Sequence, residues 1–525
     1  MIPLGTRLGT SFRAMWIART APKEVAPDRI VRAFSRKRPT AKIALFMKDD
    51  ASNRAAPGAA RRIGRDVGAL LLGRLVGAAL GVTALALLTR GLGVAGFGGY
   101  TYVVALFNVF VIVVGFGGNA IATADIARTP DRTADVLGAL LGARMMTATA
   151  GALMLAGIAI ALEGPSTRTP LLLAAPFLLA AGLGAMESLF HAKQRMVVPV
   201  TSRLASQAAF VAAIAMLDAR DELTLTNAVL AFGIAALLDR GLTFVRGARI
   251  VRPRRPRDFA PILDLLRRSA PYGLATLFGL LYFHVDTLML KPIRGDVETG
   301  YYGAAYRLFA FLVVVPALLA TPMLPELARD RTAFARIYAR TFQQALVLGL
   351  SAVAAIAVLA DDIVAGLYGL EDYAPSIPLL RLLGFAFAAV CIGTLGGTAL
   401  VALGRQTSWA KITGSCLALN LALNAWLIPG HGAQGAAIAT VATELLAAIA
   451  AVWVIRQREG WLPFSRPQPD LVWLPLTVLG VSFALRPLGI VPAAVGIAGL
   501  GAAYFVLRTR SILEESDAAD QSAGR

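Results

Sequence analysis

Residues 90–102 read RGLGVAGFGGYTY, and residues 294–306 read RGDVETGYYGAAY. Each stretch follows one long apolar run and leads into the next. Neither contains the lysine of the phosphate-binding pattern G-x-x-x-x-G-K-[ST]. We therefore interpret them as two copies of one helix entrance in a duplicated chain. At a constant offset of 204 positions, the shared residues are Arg90/Arg294, Gly91/Gly295, Gly96/Gly300, Gly99/Gly303 and Tyr102/Tyr306.

The composition places the chain in a lipid bilayer. Of its 525 residues, 57% are hydrophobic and 16% are charged, and the mean hydropathy is +0.65. Soluble globular proteins carry about 25% charged residues, whereas runs of about twenty apolar residues are typical of transmembrane helices. The formal net charge of +19 does not indicate nucleic-acid binding, because the basic residues lie between apolar runs rather than on one face.

Apolar windows predict an all-α polytopic membrane protein with about fourteen transmembrane helices. Two parallel-repeat six-helix bundles are followed by two C-terminal helices, because a repeat of six spans preserves orientation in the membrane. The candidate spans lie near 67–89, 100–122, 138–162, 170–190, 197–217, 225–247, 268–290, 301–324, 340–360, 378–402, 409–429, 434–455, 470–486 and 488–507.

The basic residues predict the orientation of these spans. With the amino terminus in the cytoplasm, the inner loops after the first span carry 26 Lys and Arg residues and the outer loops carry 6. Positive residues are enriched on the cytoplasmic side of membrane proteins. Both termini are therefore expected to be cytoplasmic.

Charge and proline content predict the domain boundaries. The first 66 residues hold fifteen Lys and Arg against five Asp and Glu, which is typical of a disordered tail; a true start at Met47 is an open alternative. RGARIVRPRRPRDF (246–259) reads as a stiff charged linker. The expected order begins with a basic cytoplasmic tail (1–66), an N-terminal six-helix bundle (67–247) and a basic cytoplasmic linker (248–267). A C-terminal six-helix bundle (268–456), two additional helices (457–510) and a cytoplasmic tail (511–525) follow.

Four stretches together resemble the oligosaccharide-flippase branch of the multidrug/oligosaccharidyl-lipid/polysaccharide exporter superfamily. They are ALLTRGLGVAGFGGYTY (86–102), HVDTLMLKPIRGDVETGYYGAAYRLF (284–309), TPMLPELAR (321–329) and NLALNAWLIPGHGAQGAAIATVATE (420–444). The resemblance implies a MATE-like fold. It also implies a flippase that moves a polyprenyl-diphosphate-linked oligosaccharide across the bacterial cytoplasmic (inner) membrane by alternating access, for cell-surface polysaccharide biosynthesis.

Several alternatives stay open at this point. Within the same fold, the chain would be a cation-coupled exporter of small molecules or drugs. A membrane glycosyltransferase or polymerase would need a large catalytic loop, and a scaffold in a polysaccharide assembly complex is a third class. The expected partners are the lipid-linked oligosaccharide, membrane lipids and polysaccharide assembly proteins, without nucleic acid. The two additional spans would offer the lipid tail a flanking surface.

Charges at membrane depth are costly and mark candidate sites. Guanidinium groups match a diphosphate in bidentate geometry, so we expect substrate contacts among the basic and amide residues of the bundle. Asp286 and Glu444 are the candidates for ion coupling. The candidate substrate-binding residues are Arg74, Arg144, Arg203, Gln207, Arg307 and Arg381.

The sequence contains no sign of catalysis, of a cofactor or of a structural metal. Cys391 and Cys416 both fall inside apolar runs, so we interpret them as packing residues. Three histidines without a cysteine cluster do not form a zinc motif. A transporter without catalytic residues, cofactor or metal is the expectation.

Overall fold

The chain folds as a bundle of long helices. A computed structural model describes residues 57–329, 331–460, 470–489 and 496. Within these ranges there are fourteen α-helices and no strand. In chain order they are α1 Pro57–Gly115, α2 Gly118–Arg128, α3 Thr133–Leu162, α4 Pro165–Ala174, α5 Leu178–Leu183, α6 Glu187–Ala192, α7 Val197–Asp218, α8 Leu225–Ala248, α9 Ala260–Arg329, α10 Arg331–Tyr368, α11 Leu370–Tyr373, α12 Ser376–Ala402, α13 Gln406–Glu459 and α14 Asp470–Leu485.

Three of these helices are hairpins that cross the membrane twice. In α1, α9 and α13 the helical backbone is interrupted at Gly93, Gly295 and Gly432, where φ is 65°, 85° and 54°. Glycine adopts such angles without steric cost. The Tyr302 hydroxyl donates to Asp286 over 2.6 Å, a contact that sixteen residues of straight helix would hold about 24 Å apart. The two arms of α9 therefore run side by side.

The hairpins reconcile the helix count with the predicted spans. Nine helical stretches in the described residues are long and apolar enough to cross a membrane, and three of them contain a hairpin. They account for the first twelve predicted spans, and α14 corresponds to the thirteenth. The fourth span consists of α4, α5 and α6, which two 3₁₀ turns separate. The predicted span at 488–507 lies outside the described residues, apart from 488, 489 and 496.

Two predicted boundaries need correction. The helix α1 begins at Pro57, nine residues before the predicted end of the basic tail, because proline is favoured at a helix start and the Ala and Arg residues that follow favour helix. The linker predicted to extend to residue 267 ends at α9, which begins at Ala260. Pro253 and Pro256 keep only the preceding segment out of a helix. Residues 1–56 of the tail predicted at 1–66, and the whole tail predicted at 511–525, lie outside the described residues.

The two halves of the chain meet where the hairpins turn. A Cβ atom on Gly98 would overlap the Asp296 carbonyl oxygen, and a Cβ atom on Gly300 would overlap the Val94 carbonyl oxygen. Each contact is the counterpart of the other at an offset of 202 residues, because Gly98 corresponds to Gly300 and Val94 to Asp296. The same offset relates the bends at Gly93 and Gly295. The offset of 204 predicted from the sequence is therefore two residues out of register. We call this contact the glycine seam, and the end of the molecule where the hairpins turn the hairpin end.

Ion pairs and hydrogen bonds close the hairpin end around the seam. Lys291 lies 3.7 Å from Glu163 and 3.3 Å from Asp296, and its amine lies 4.8 Å above the ring of Tyr102. Arg90 donates to the carbonyl oxygen of Leu367 over 3.1 Å. These contacts join the two halves on the side that the charge pattern predicts to be outside.

At the opposite end the linker binds the N-terminal half. The Arg254 amide donates to the Ala134 carbonyl over 2.9 Å, and a Cβ atom on Gly138 would overlap the Arg254 carbonyl oxygen. Arg268 forms an ion pair with Asp125 at 2.9 Å. The linker is therefore held against α3 rather than being a free spacer.

The glycine seam predicts the effect of a single methyl group. Gly98→Ala should lower the free energy of unfolding by about 1–3 kcal/mol, because the new Cβ atom has to displace backbone. The control is Gly157→Ala in α3, where a Cβ atom meets nothing within 4 Å. Thermal unfolding of the detergent-purified chain measures both. Equal melting temperatures for the two variants would contradict the seam.

Candidate functional site

A cavity of about 390 Å³ lies mainly within the N-terminal half. Both arms of α1, the helices α7 and α8 and the segment around α5 form its walls, and α9 contributes Arg307 and Phe311 from the other half. Phe97, Tyr100 and Phe107 make much of the lining aromatic. A mostly apolar cavity with a few polar groups is the usual form of a ligand site. The polar lining residues are Asn108, Ser206, Gln207, Asp239, Arg240 and Arg307.

Small residues bring α1 close to its neighbours around this cavity. Gly73 lies against Val200, Gly77 against Gln207 and Gly81 against Phe311. Their spacing of four places all three on one face of α1, as small-xxx-small stripes do in packed membrane helices. Gln207 and Arg307 are thereby brought to the same cavity from different halves of the chain.

Arg307 is the cation that the cavity leaves without a partner. Its side chain is half-buried and lines the cavity. It forms no ion pair with any residue that the structure describes. At the offset of the glycine seam its counterpart is Ala105, so the scaffold does not need a base at this position. A guanidinium that lines a largely apolar cavity and pairs with no carboxylate there is available for an anionic ligand.

Arg240 is the second cation of the cavity, and it is already paired. Its guanidinium donates to Glu187 and lies 3.7 Å from Asp239. Arg203 approaches the same Glu187 carboxylate at 3.7 Å. Arg203 and Arg240 thus pair with two carboxylates, Glu187 and Asp239, beside the cavity.

Arg144 lies behind this pair and is buried. It donates to the Asn119 side chain over 2.7 Å and to the Ala181 carbonyl over 2.6 Å, while its Nε atom has no hydrogen-bond partner. A Cβ atom on Gly184 would lie 2.9 Å from Arg144 and 3.2 Å from Arg240. The two guanidiniums therefore face each other across a glycine, and Arg144 adds positive potential without lining the cavity.

The remaining basic candidates lie elsewhere. Arg74 is exposed on α1 and does not line the cavity. Arg381 forms an ion pair with Asp361 at 3.0 Å, next to Arg486 of the C-terminal segment. Of the six predicted substrate residues, the structure thus brings Gln207 and Arg307 into the cavity, and it places Arg144 and Arg203 beside it.

A second polar cluster lies in the C-terminal half, inside hairpins α9 and α13. The buried Asp286 carboxylate accepts hydrogen bonds from Tyr302 at 2.6 Å, Thr440 at 2.8 Å and Asn424 at 2.5 Å. Asn424 also donates to Asn420 over 3.0 Å. Within the described residues no cation pairs with Asp286. A buried carboxylate held only by neutral donors is costly, so its retention points to a function.

Glu444 extends this cluster by one helical turn. It lies four residues after Thr440 on the same arm of α13 and is 9% exposed. Its carboxyl lies close enough to Asp286 for the two charges to interact. The structure therefore brings together the two carboxylates proposed for ion coupling.

The sequence expectation for metal ligands and thiols concerns the His, Cys, Asp and Glu positions in the described parts of the chain. No group of three or more His, Cys, Asp or Glu side chains is placed to hold a metal ion there. Cys391 and Cys416 are buried free thiols. Their positions fit the packing role that the sequence predicts.

Comparison with known proteins gives the family. The family model described as polysaccharide biosynthesis protein matches residues 63–329, about half of the chain. The chain belongs to the polysaccharide biosynthesis protein family. The resemblance stated from the four sequence stretches is thereby confirmed.

Two curated relatives of this polysaccharide biosynthesis protein come from the archaeon Haloferax volcanii. The probable flippase AglR is 29% identical over 202 residues, which cover 37% of this chain and 42% of the relative. The probable low-salt glycan biosynthesis flippase Agl15 is 23% identical over 188 residues, 35% of this chain and 40% of the relative. The chain thus matches about two fifths of the length of these relatives.

Solved structures show the same fold. The lipid II flippase MurJ in an inward closed conformation superposes with a TM-score of 0.70 over 85% of this chain and 98% of that chain, at 14% identity. An inward-facing multidrug resistance MATE family transporter of the MOP superfamily superposes with a TM-score of 0.55 over 74% of this chain and 98% of that chain, at 15% identity. The predicted MATE-like polytopic fold is confirmed.

Sequence reasoning missed Arg240 as a cavity residue. Asp239 directly precedes Arg240 in the sequence and offers it an ion pair within the helix, so Arg240 does not stand out as a cavity residue. The available signal was Glu187, a carboxylate near a helix end that lacked a partner within its own helix. A search for its counter-charge on the other inner helix ends would have found Arg240.

Proposed function

We propose that this protein is a flippase that carries a polyprenyl-diphosphate-linked oligosaccharide across the membrane by alternating access. The observation that carries the proposal is Arg307, an arginine that lines a largely apolar cavity without an ion-pair partner in the described residues. Such a group suits a ligand that joins an anionic diphosphate to sugars and a hydrocarbon chain.

Arg240 supports the same assignment. Its guanidinium shares the cavity with Arg307, and each guanidinium can donate two parallel hydrogen bonds to a diphosphate. Two ion pairs constrain Arg240 at present, through Glu187 and Asp239. Substrate oxygens would replace part of this pairing. Arg203 and Arg144 then act at longer range by raising the positive potential.

The names of the relatives support transport of a glycan. Both curated relatives are called flippases, and one is named for glycan biosynthesis. The superposed MurJ structure is a lipid II flippase. The family and the structural neighbours are those of transporters rather than of catalytic enzymes. We carry the class of substrate over to this chain as part of the proposal.

The seam and the cavity support the proposal of alternating access. Glycine contacts and the Lys291 ion pairs hold the hairpin end closed. If the halves separate there, the cavity changes the side to which it opens. The charge pattern assigns the hairpin end to the outside and both termini to the cytoplasm. The bacterial cytoplasmic membrane is the proposed location, with polysaccharide assembly proteins as further partners.

Ion coupling is assigned to Asp286 and Glu444. The oxygen atoms of Asp286, Tyr302 and Thr440 converge between the two arms of α9 and one arm of α13. A cation or proton that neutralises the buried Asp286 would change the balance of contacts between these hairpins. Energy from an ion gradient would thereby favour one of the two conformations.

The alternative is a cation-coupled exporter of small molecules in the same superfamily. The similarity to MATE transporters of multidrug resistance favours it at the level of the fold. The unpaired Arg307 favours an anionic ligand. The two candidates differ in whether the diphosphate is required.

Substitution of Arg307 tests whether the cavity binds a diphosphate. In liposomes that contain the purified chain and a fluorescent polyprenyl diphosphate, Arg307→Ala should slow translocation about tenfold, because a charge-assisted hydrogen bond contributes about 1.5–3 kcal/mol. Arg307→Lys should restore only part of the rate, since an ammonium group cannot bind in bidentate geometry. Protection of the probe from an external quencher measures the rate.

The matched control is Arg381→Ala, which removes an arginine whose partner is Asp361 at the membrane surface. It should translocate the probe at the unmodified rate. If Arg307→Ala leaves translocation of the probe unchanged and the unmodified chain exports cationic drugs, the small-molecule exporter is the correct assignment.

Substitution of Asp286 tests whether translocation is coupled to an ion gradient. Asp286→Asn keeps a side chain of the same shape but removes the charge, so the probe should still bind while an imposed sodium or proton gradient no longer accelerates its translocation. Asp372→Asn, on the exposed helix α11, should keep the full response. A response of Asp286→Asn equal to that of the unmodified chain would remove this residue from coupling.

A further inference from the structure

A second groove, of about 370 Å³, lies between helices α7 and α8. Its walls are apolar, and several of them face the lipid: Met216 is 51% exposed and Ile234 is 59% exposed. Polar groups occur only at its mouth, at Glu222 and Asn227. The groove therefore offers a hydrocarbon surface inside the membrane and nothing to bind a polar head group at depth.

The groove lies in one leaflet, on the side of the hairpin end. Its mouth is next to the seam hairpin, because Gly99 packs against Leu225 at the start of α8. From Asn227 to Leu238 the helix rises about 16 Å, which is roughly half of a hydrocarbon core of about 30 Å. By the predicted orientation this is the outer leaflet.

The groove and the cavity adjoin each other. Phe210 and Ala235 line both of them, so the groove adjoins the space that contains Arg307 at these two side chains. The helix α14 has no such relation: its residue Leu479 packs with Val358 and Leu359 of α10, and none of its described residues lines the cavity. A chain attached to a head group in the cavity therefore reaches the groove more directly than it reaches α14.

The charge at the mouth of the groove distinguishes lipids by the position of their anionic head groups. The Glu222 carboxylate is exposed there, where the phosphate of an ordinary phospholipid in that leaflet would lie. Like charges repel at this distance, so the mouth disfavours a phospholipid with its phosphate directly above the groove. A chain whose anionic head group lies in the cavity, next to Arg307 and Arg240, avoids this repulsion.

We infer that the groove between α7 and α8 binds the polyprenyl chain of the substrate while its diphosphate occupies the cavity. This inference rests on the proposed function and adds to it the place of the lipid. Packing against α7 and α8 holds the chain, since lipid tails themselves are as apolar as the groove and the hydrophobic effect gives no preference. The groove thus binds the polyprenyl chain in the leaflet that receives the substrate.

Photochemical labelling of the full chain in liposomes tests the inference. The probe is a long-chain polyprenyl diphosphate with a diazirine at the free end of its hydrocarbon chain. We expect the label on residues 209–217 and 230–238. Ala213→Trp should lower this labelling at least about fivefold, because the indole fills the volume that the chain would occupy. Ala213 lines the groove.

The control is Ala212→Trp. Ala212 is next to Ala213 and is exposed, but it does not line the groove, so this variant should be labelled as strongly as the unmodified chain. Both variants should bind a short-chain diphosphate that cannot reach the groove. Label on α14 or on residues 488–507, or label in the groove that excess phosphatidylglycerol displaces, would overturn the inference while the head-group site stands. Short-chain binding that is insensitive to Arg307→Ala would instead count against the proposed function.

Discussion

The approach of two backbones at the glycine seam constrains the rest of the molecule. Gly98 and Gly300 lie against the carbonyl groups of Asp296 and Val94, in a space that no side chain fits. Association of helices in a membrane depends on such close packing, because the lipid is as apolar as the side chains. The seam fixes the hairpin ends of α1 and α9 against each other. The cavity lies next to it, lined by Phe97 and Tyr100 just past the bend of α1 and by Arg307 from α9.

Buried charge separates the two halves by role. In the N-terminal half, Arg203 and Arg240 pair with Glu187 and Asp239, the buried Arg144 adds a third guanidinium, and Arg307 lines the same cavity from the other half. In the C-terminal half the charges are the carboxylates of Asp286 and Glu444, surrounded by neutral donors. The first arrangement suits an anionic ligand and the second suits a cation, and the two lie in different halves of one duplicated scaffold.

Much of the fold could be predicted from the sequence, because apolar length and loop charge depend on local composition. The repeat was found as well, but two residues out of register. Identical letters at Gly91 and Gly295 favoured the offset of 204, whereas the bends occur at Gly93 and Gly295 and depend on contacts between halves. Site residues were harder to predict, because depth in a helix does not tell which face meets a cavity. Arg381 and Arg307 look alike in sequence, and only packing gives the first a carboxylate and the second an open space.

The central claim is that separation of the halves at the seam accompanies transport, and one cross-link tests it directly. Thr101 and Gly303 face each other across the seam, with 3.3 Å between the Thr101 Cβ atom and an ideal Cβ position on Gly303, near the spacing of about 3.8 Å in disulfides. The variant Thr101→Cys/Gly303→Cys, with Cys391 and Cys416 replaced by serine, is assayed in liposomes before and after oxidation. The account predicts that oxidation stops translocation of the polyprenyl diphosphate and that a reductant restores it. Equal rates in the cross-linked and reduced protein would contradict it.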